Sequence, residues 1–337
     1  MKPRIYLTFS PAGRALYYGD KALAGLRQLG ELRLNERDDL PTEAELVEAV
    51  RDCQVLISDR RIAVGTGFFT ASPQLTVLMR CAMDIRNIDM AAASATGVLV
   101  TRASAGFGTA VAEWVLGVMI DGARGISRSV HAYRSGAAPA IGMGRELRGS
   151  RLGIIGYGHI GRRLGELALG LSMHVAVSDP GTRPDDARID ALPLNAMLER
   201  SDFVVCLAPA LPETENLMNA AAFAGMKRGA FFVNASRGNL VDEAALIDAL
   251  DSGHLAGCAL DVGRAPDQMP SPELATHPKV IATPHVGGLT PPAAEHQALE
   301  TVAQLAALLR GEMPEGVVNA AQATRLADWL HRVKGQA

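Results

Sequence analysis

No long uncharged apolar run occurs in these 337 residues. The longest apolar stretch, Ala110–Ile120 with its flank, carries Glu113 and Asp121. A bilayer-spanning helix needs about 20 apolar residues, so no membrane segment is expected. Cysteine is scarce. Cys53, Cys81, Cys206 and Cys258 are scattered, with no CxxC pair and no histidine-rich spacing. That pattern argues against a disulfide framework or a zinc site. Free buried thiols, no metal and a reducing cytoplasmic setting are expected instead. Basic runs and basic-aromatic clusters are missing too, and the net charge is only -3, so nucleic acid is not an expected partner. Repeats and low-complexity segments are absent. The start, Met1-Lys2-Pro3-Arg4 then Ile5-Tyr6-Leu7, holds too short an apolar run for a signal peptide and reads as a first β-strand.

What remains is a chain with 48% hydrophobic residues, enough for a sizeable core, and a length that suits two domains. Short β-branched runs alternate with longer helical patterns, which argues for parallel sheets covered by helices on both faces. Expected strands in the first hundred residues are Ile5–Phe9, Glu31–Asn35, Val55–Ser58, Thr76–Met79 and Val98–Val100. Thr42 and Glu45 form a capping-box signature for a helix. One long helix is expected from Gly108 to Arg134. A second strand set follows: Leu152–Ile155, Val175–Ser178, Phe203–Leu207, Phe231–Asn234, Ala259–Val262 and Val280–Ala282. Helical stretches at Arg162–Leu171 and Glu243–Ser252 lie between them, and a last helix at Pro292–Arg310 is followed by a short tail. So many strands exceed one ordinary sheet, and two doubly wound domains fit better.

The strongest chemical signal sits mid-chain. Gly156-Tyr157-Gly158-His159-Ile160-Gly161 follows an apolar strand and opens a helix. The first glycine permits the tight turn, the second lets the backbone approach a pyrophosphate, and the third lets helix and strand pack closely. His159 lies inside this turn, where its backbone N–H rather than its imidazole suits a phosphate. Asp179 stands 18 residues beyond Gly161, at the end of the next strand. Its carboxylate can accept from ribose hydroxyls and would repel a 2′-phosphate, so NAD is favoured over NADP. Because this signal is central, one domain is expected to be inserted in the other.

The flanking segments carry a family resemblance. Glu146-Leu147-Arg148-Gly149-Ser150-Arg151-Leu152-Gly153-Ile154-Ile155-Gly156, Val111-Ala112-Glu113, Met226-Lys227-Arg228-Gly229-Ala230, Val233-Asn234-Ala235-Ser236-Arg237-Gly238, Leu260-Asp261-Val262 and Thr283-Pro284-His285-Val286-Gly287-Gly288 resemble, in order, the motifs of the D-isomer-specific 2-hydroxyacid dehydrogenases. The likeness covers about Leu78 to Gly311. It implies a flavodoxin-like substrate domain, 1–100 with 285–337, holding an inserted Rossmann domain for NAD, 101–284. It also implies a cleft between domains and a homodimer built through the NAD domains. Arg237 is implied as the cation that holds the acid's carboxylate and polarises its C2 oxygen, and His285 as the acid/base. Arginine keeps its charge and offers a planar fork, and histidine titrates near working pH. Further implied cofactor contacts are Ala208, Pro209, Thr214, Ala235, Ser236, Asp261 (toward the nicotinamide amide) and Gly288. His254, His277, His296 and His331 have no comparable setting and are expected in solvent.

Three departures qualify the match. The family's Asp-Val-Phe-x-x-Glu-Pro, whose Glu pairs with the histidine, is replaced by Asp261-Val262-Gly263-Arg264-Ala265-Pro266-Asp267-Gln268. Asp267 is the nearest carboxylate, and Gln268 is a rival partner. The family's glycine-rich substrate loop reads Arg80-Cys81-Ala82-Met83-Asp84-Ile85-Arg86-Asn87-Ile88-Asp89 here. Met83 and Asp84 are the expected substrate contacts. Asp84 either turns away from the substrate or reads a hydroxyl or ammonium on it. Ala138 stands where the family has tryptophan. The implied activity is hydride transfer between NAD(H) and a small D-2-hydroxy or 2-oxo acid, glyoxylate-, hydroxypyruvate- or phosphoglycerate-like. The alternatives are a specialised relative acting on formate, phosphite or a phosphorylated acid, and a non-catalytic NAD-sensing binding protein.

Overall fold

The computed structural model describes residues 2–334, apart from the side chains of Asp267 and Lys334. The chain divides into two compact units, Met1–Gly106 with Thr290–Ala337, and Phe107–Leu289. The second is therefore inserted in the first.

The first unit contains five parallel strands: β1 (Arg4–Leu7), β2 (Glu31–Leu34), β3 (Val55–Ser58), β4 (Val77–Arg80) and β5 (Leu99–Arg102). Their spatial order is β2-β1-β3-β4-β5, a flavodoxin-like doubly wound sheet that switches direction between β1 and β3. The inner strands β3 and β4 are buried along their whole length, as strands covered on both faces must be. Thr42 does cap its helix: its hydroxyl accepts from the Glu45 N–H, and the Glu45 carboxylate accepts from Thr42 N–H.

The second unit contains β6 (Arg151–Ile155), β7 (His174–Ser178), β8 (Ile189–Ala191), β9 (Phe203–Cys206), β10 (Phe231–Asn234), β11 (Gly257–Leu260) and β12 (Val280–Ala282). They are all parallel, in the order β12-β11-β10-β9-β6-β7-β8. Alternation along each strand feeds two cores. Leu152 and Ile154 of β6 join Phe203, Val205 and Val233 on one face, while Ile155, Val204, Cys206 and Phe232 point to the other. The direction of winding reverses between β6 and β9, and the glycine turn leaves β6 at that point.

Four local expectations need correcting. The helix expected over 108–134 is two, Gly108–Arg124 and Ile126–Arg134, because Gly125 between them has φ +64°, the left-handed conformation that ends a helix. The short strand β8 was not foreseen, since three residues carry no periodicity. β11 begins and ends two residues earlier than the apolar run suggests, which leaves Asp261 just beyond the strand. The tail is not featureless: Thr324–Lys334 is a helix whose Leu326 and Trp329 are buried in the first unit's core. Its guanidinium Arg325 donates to Ser72 O and Leu75 O at 3.0 and 2.8 Å.

Candidate functional site

In a parallel doubly wound sheet every strand points the same way, so the loops leaving the carboxyl ends gather at one edge, where ligands bind. Here that edge of the second unit collects most of the singled-out residues. β6 leads to Gly156–Gly161, β7 to Asp179, β9 to Ala208 and Pro209, β10 to Ala235, Ser236 and Arg237, β11 to Asp261, and β12 to His285 and Gly288. Met83 and Asp84 belong to the other unit, at the carboxyl end of β4.

The glycine turn has the shape a dinucleotide requires. Gly156 has φ +90°, and a Cβ there would stand 2.7 Å from Ala208 N. A Cβ on Gly161 would stand 2.6 Å from Gly156 O, whereas one on Gly158 meets nothing within 4 Å. The outer glycines are thus closed against the fold and the middle one is open to a ligand, next to the N-terminus of helix His159–Gly170. The His159 ring is exposed and lies over Gly108. Asp179 is tied into the turn. One carboxylate oxygen accepts from Tyr157 N–H at 2.7 Å, and the other from Gly181 and Thr182 N–H, both at 2.8 Å. Burial pushes its pKa up, but these backbone donors outweigh it and hold the carboxyl below the usual range. Beside it lies a depression of about 400 Å³ lined by Ser178, Asp179, Pro180, Thr182, Arg183 and Leu192.

The loop after β10 is shaped by Asn234, a residue sequence reasoning passed over. Its buried amide accepts from Ser236 N–H at 3.1 Å and donates to Arg237 O at 2.9 Å. A buried asparagine two residues before the loop's apex was the available signal, because Asx side chains template turns. The Ser236 hydroxyl donates to Ala208 O and so joins the β9 and β10 loops. Arg237 precedes a 3₁₀ turn, Gly238–Leu240, and one guanidinium nitrogen donates to Ser236 O at 2.7 Å. The Thr214 hydroxyl is spent within its own turn, donating to Pro209 O at 2.7 Å and accepting from Leu211 N–H.

Asp261 is buried, and its carboxylate accepts three hydrogen bonds from the loop after β12. Thr283 Oγ1 reaches it at 2.6 Å, Val286 N–H at 2.8 Å and Gly287 N–H at 2.7 Å. These donors flank His285, which has φ +55°. A non-glycine residue in that region costs about 1–3 kcal/mol and persists only where its surroundings hold it. Asp261 is one of the groups that hold it. A half-buried His285 thus sits on a loop braced from below.

The loop between these elements contains Asp267, whose side chain lies outside the described residues, and Gln268, with φ +58°. Gln268 Oε1 is buried and accepts no hydrogen bond, so no N–H of His285 reaches it. Two of the histidines expected in solvent are instead half-buried and bonded within the fold: His254 reaches Met226 O at 2.9 Å and His277 pairs with Asp251 at 3.2 Å. His296 is exposed as expected, with Ser104 Oγ at 2.9 Å. His331 is exposed.

In the first unit, Arg80 is fully buried and fastens the β4 loop to the β3 loop. Its guanidinium donates to Asp59 O, to Ile62 O at 2.8 Å and to Asn87 Oδ1 at 2.9 Å. Burial pushes its pKa down to about 10. Asp84 turns onto Arg86, accepting from the backbone N–H at 3.0 Å and from the guanidinium at 2.7 Å. Met83 beside it is exposed.

A glycine turn with an open middle glycine at the switch point of a seven-stranded parallel sheet, followed by an acidic strand end, defines a dinucleotide-binding Rossmann domain. The sequence profile of the D-isomer specific 2-hydroxyacid dehydrogenase NAD binding domain matches residues 116–287, inside the second unit. The chain belongs to that family, and NAD is its cofactor. It is 34% identical over 306 residues to D-3-phosphoglycerate dehydrogenase of Rattus norvegicus, covering 89% of this chain and 57% of that protein. The chain thus spans just over half the length of the phosphoglycerate dehydrogenases it matches. It is 29% identical to a glyoxylate reductase of Korarchaeum cryptofilum, over 95% of this chain and 96% of that one. Among solved structures, an NAD-binding protein from Polaromonas sp. JS6 66, assigned to the same family, superposes with TM-score 0.85 at 26% identity, covering 94% of this chain and all of the other.

Proposed function

We propose that this protein is an NAD-dependent dehydrogenase that interconverts a small D-2-hydroxy acid and its 2-oxo acid. The observation that carries the reading is the common edge. Arg237 and His285 leave β10 and β12, which flank β11, on the side of the sheet where the glycine turn opens. Bound NAD supplies the acceptor or donor of a hydride. Arg237 binds the acid's carboxylate and stabilises charge that grows on the C2 oxygen, the interaction an arginine fork is shaped for. His285 takes the hydroxyl proton in oxidation and returns it in reduction. Asp267 remains the carboxylate proposed to pair with it. Gly156, Gly158, His159, Ile160 and Gly161 carry the pyrophosphate, Asp179 the ribose, and Ala208, Pro209, Thr214, Ala235, Ser236, Asp261 and Gly288 the rest of the cofactor. The loop with Met83 and Asp84 is assigned substrate selectivity.

The test is NADH oxidation with glyoxylate, hydroxypyruvate and pyruvate, and NAD reduction with D-3-phosphoglycerate. Turnover that vanishes in both Arg237→Ala and His285→Ala supports the reading. Tight NADH binding without turnover on any of these acids refutes it and favours a sensing role.

The proposed assembly is a homodimer through the NAD unit, in a reducing cytoplasm. Helix Ile126–Arg134 buries none of its residues within its own chain, and Tyr133, Ile141 and Met143 are exposed. A second copy covering them would take these exposed apolar side chains out of water. All four cysteines are buried and free, as that compartment permits. Among the described residues no helix is long and apolar enough to cross a membrane. Light scattering of the parent and of Tyr133→Asp/Met143→Asp tests the dimer; a monomeric parent refutes it.

A further inference from the structure

Arg264 stands in the segment where this chain departs from its family, and the mechanism above gives it no task. Its side chain nevertheless makes a junction. The terminal nitrogen Nη2 lies 2.9 Å from Glu215 Oε1, 2.6 Å from Asn216 Oδ1, and 3.1 Å from both Asn239 O and Val241 O. Nε donates to Val241 O at 3.2 Å, and the backbone N–H donates to Glu243 Oε1 at 3.2 Å. Asn239 and Val241 lie in and just after the 3₁₀ turn that follows Arg237. Glu215 also accepts from the Asn239 amide at 2.8 Å, and Asn216 N–H donates to Asn239 O at 2.8 Å. One guanidinium therefore ties together the segment after Thr214, the turn after Arg237 and the loop that carries Asp267.

The neighbouring glycines make the junction tight. A Cβ on Gly238 would stand 2.1 Å from the carbonyl of Gly263, and one on Gly263 would stand 2.5 Å from Pro270 Cα. The residue directly after Arg237 thus packs backbone to backbone against the residue directly before Arg264. The family's phenylalanine would not fit at Gly263 with this loop path. Gly263 N–H donates to Gln268 O at 2.9 Å and Ala265 N–H to Met269 O at 3.1 Å, so the loop closes on itself.

We infer that Arg264 is a positioning residue for Arg237, a specific brace by which this chain sets the angle of its substrate-binding arginine. The inference rests on the dehydrogenase reading. A planar fork with donors fixed in direction can hold several carbonyls and a carboxylate at once; a lysine ammonium, a point charge on a flexible stem, cannot keep that register. Arg264→Lys should then misplace Arg237 and leave the glycine turn, which lies on another loop, undisturbed.

The experiment is a double-mutant cycle on the full chain with NADH and its best 2-oxo acid: parent, Arg264→Lys, Arg237→Lys and the double variant. Arg264→Lys should lower kcat/KM for the acid about 10- to 100-fold, with KM for the acid rising, while the NADH dissociation constant stays within about threefold. In the Arg237→Lys background the same change should cost less than about threefold, because there is no fork left to aim. Equal losses in both backgrounds overturn the inference, since a general destabilisation would be additive. A fall in NADH affinity parallel to the fall in kcat overturns it too. A parent inactive on every acid tried overturns the dehydrogenase reading instead, which is a different result from an active parent with an additive cycle.

Discussion

Replacing Asp261 by asparagine keeps the size of the side chain while taking away its charge and one acceptor. In the parent the carboxylate receives Thr283 Oγ1–H and the N–H groups of Val286 and Gly287. An asparagine can satisfy one oxygen's share, but its NH₂ must then face an N–H. A buried donor left without an acceptor costs about 1–3 kcal/mol, and hydrogen bonds to a charged group are worth about 1.5–3 kcal/mol each. The closed form of the loop should lose ~2–4 kcal/mol on this basis. Since about 1.4 kcal/mol is tenfold, its population relative to open forms should shift by roughly 30- to 1000-fold. Part of that shift is absorbed while the closed form still dominates, so kcat should fall by roughly 10- to 100-fold. Global melting should fall less, because the loop can open without unfolding the sheet. The assays are steady-state kinetics and amide exchange at Val286 and Gly287. A contact with the nicotinamide amide alone would weaken NADH binding and leave those amides protected. The bracing argument fails if kcat stays within twofold and protection at both amides is unchanged.

Arg237→Ala should lower kcat/KM for the acid by at least about 10³-fold, because several kcal/mol of charge stabilisation are lost, with NADH affinity nearly intact by fluorescence titration; near-normal turnover would remove it from the chemistry. Asp179→Asn should shrink the preference for NADH over NADPH, read as the ratio of kcat/KM values. Because the folded pKa of Asp179 is depressed, its stabilising contribution is present above the unfolded carboxylate value of about 3.9 and is lost as pH falls through the folded one. Acid unfolding monitored below pH 4 should therefore differ less between low and neutral pH in Asp179→Asn than in the parent. Asp84→Gly should release Arg86 and change the ranking of 2-oxo acids, and an unchanged ranking would place that loop outside selectivity. Gln268→Leu removes a buried oxygen that lacks a donor, so melting temperature should hold or rise and kcat should change less than twofold; a large fall in kcat would make Gln268 the partner of His285 after all.

Features that depend on local chemistry and on spacing along the chain are legible in the residues alone. The glycine turn, the acidic end of the next strand, the capping box at Thr42 and the apolar strands were readable because each needs only near neighbours. The helix Thr324–Lys334 is not among them: the chain reads there as a short tail, although Leu326, Trp329, Leu330 and Val333 recur at helical spacing. Tertiary structure alone decided which distant groups complete one another. Asp261 holds residues 283–287, the Ser236 hydroxyl of the β10 loop donates to Ala208 O of the β9 loop, and Arg264 gathers acceptors from segments 21 to 49 residues away. Such bonds form between loops that become neighbours only after parallel strands have brought their carboxyl ends to one edge. A parallel sheet joins strands through helical crossovers, so residues adjacent in space are remote in sequence, and no local pattern can announce the pairing.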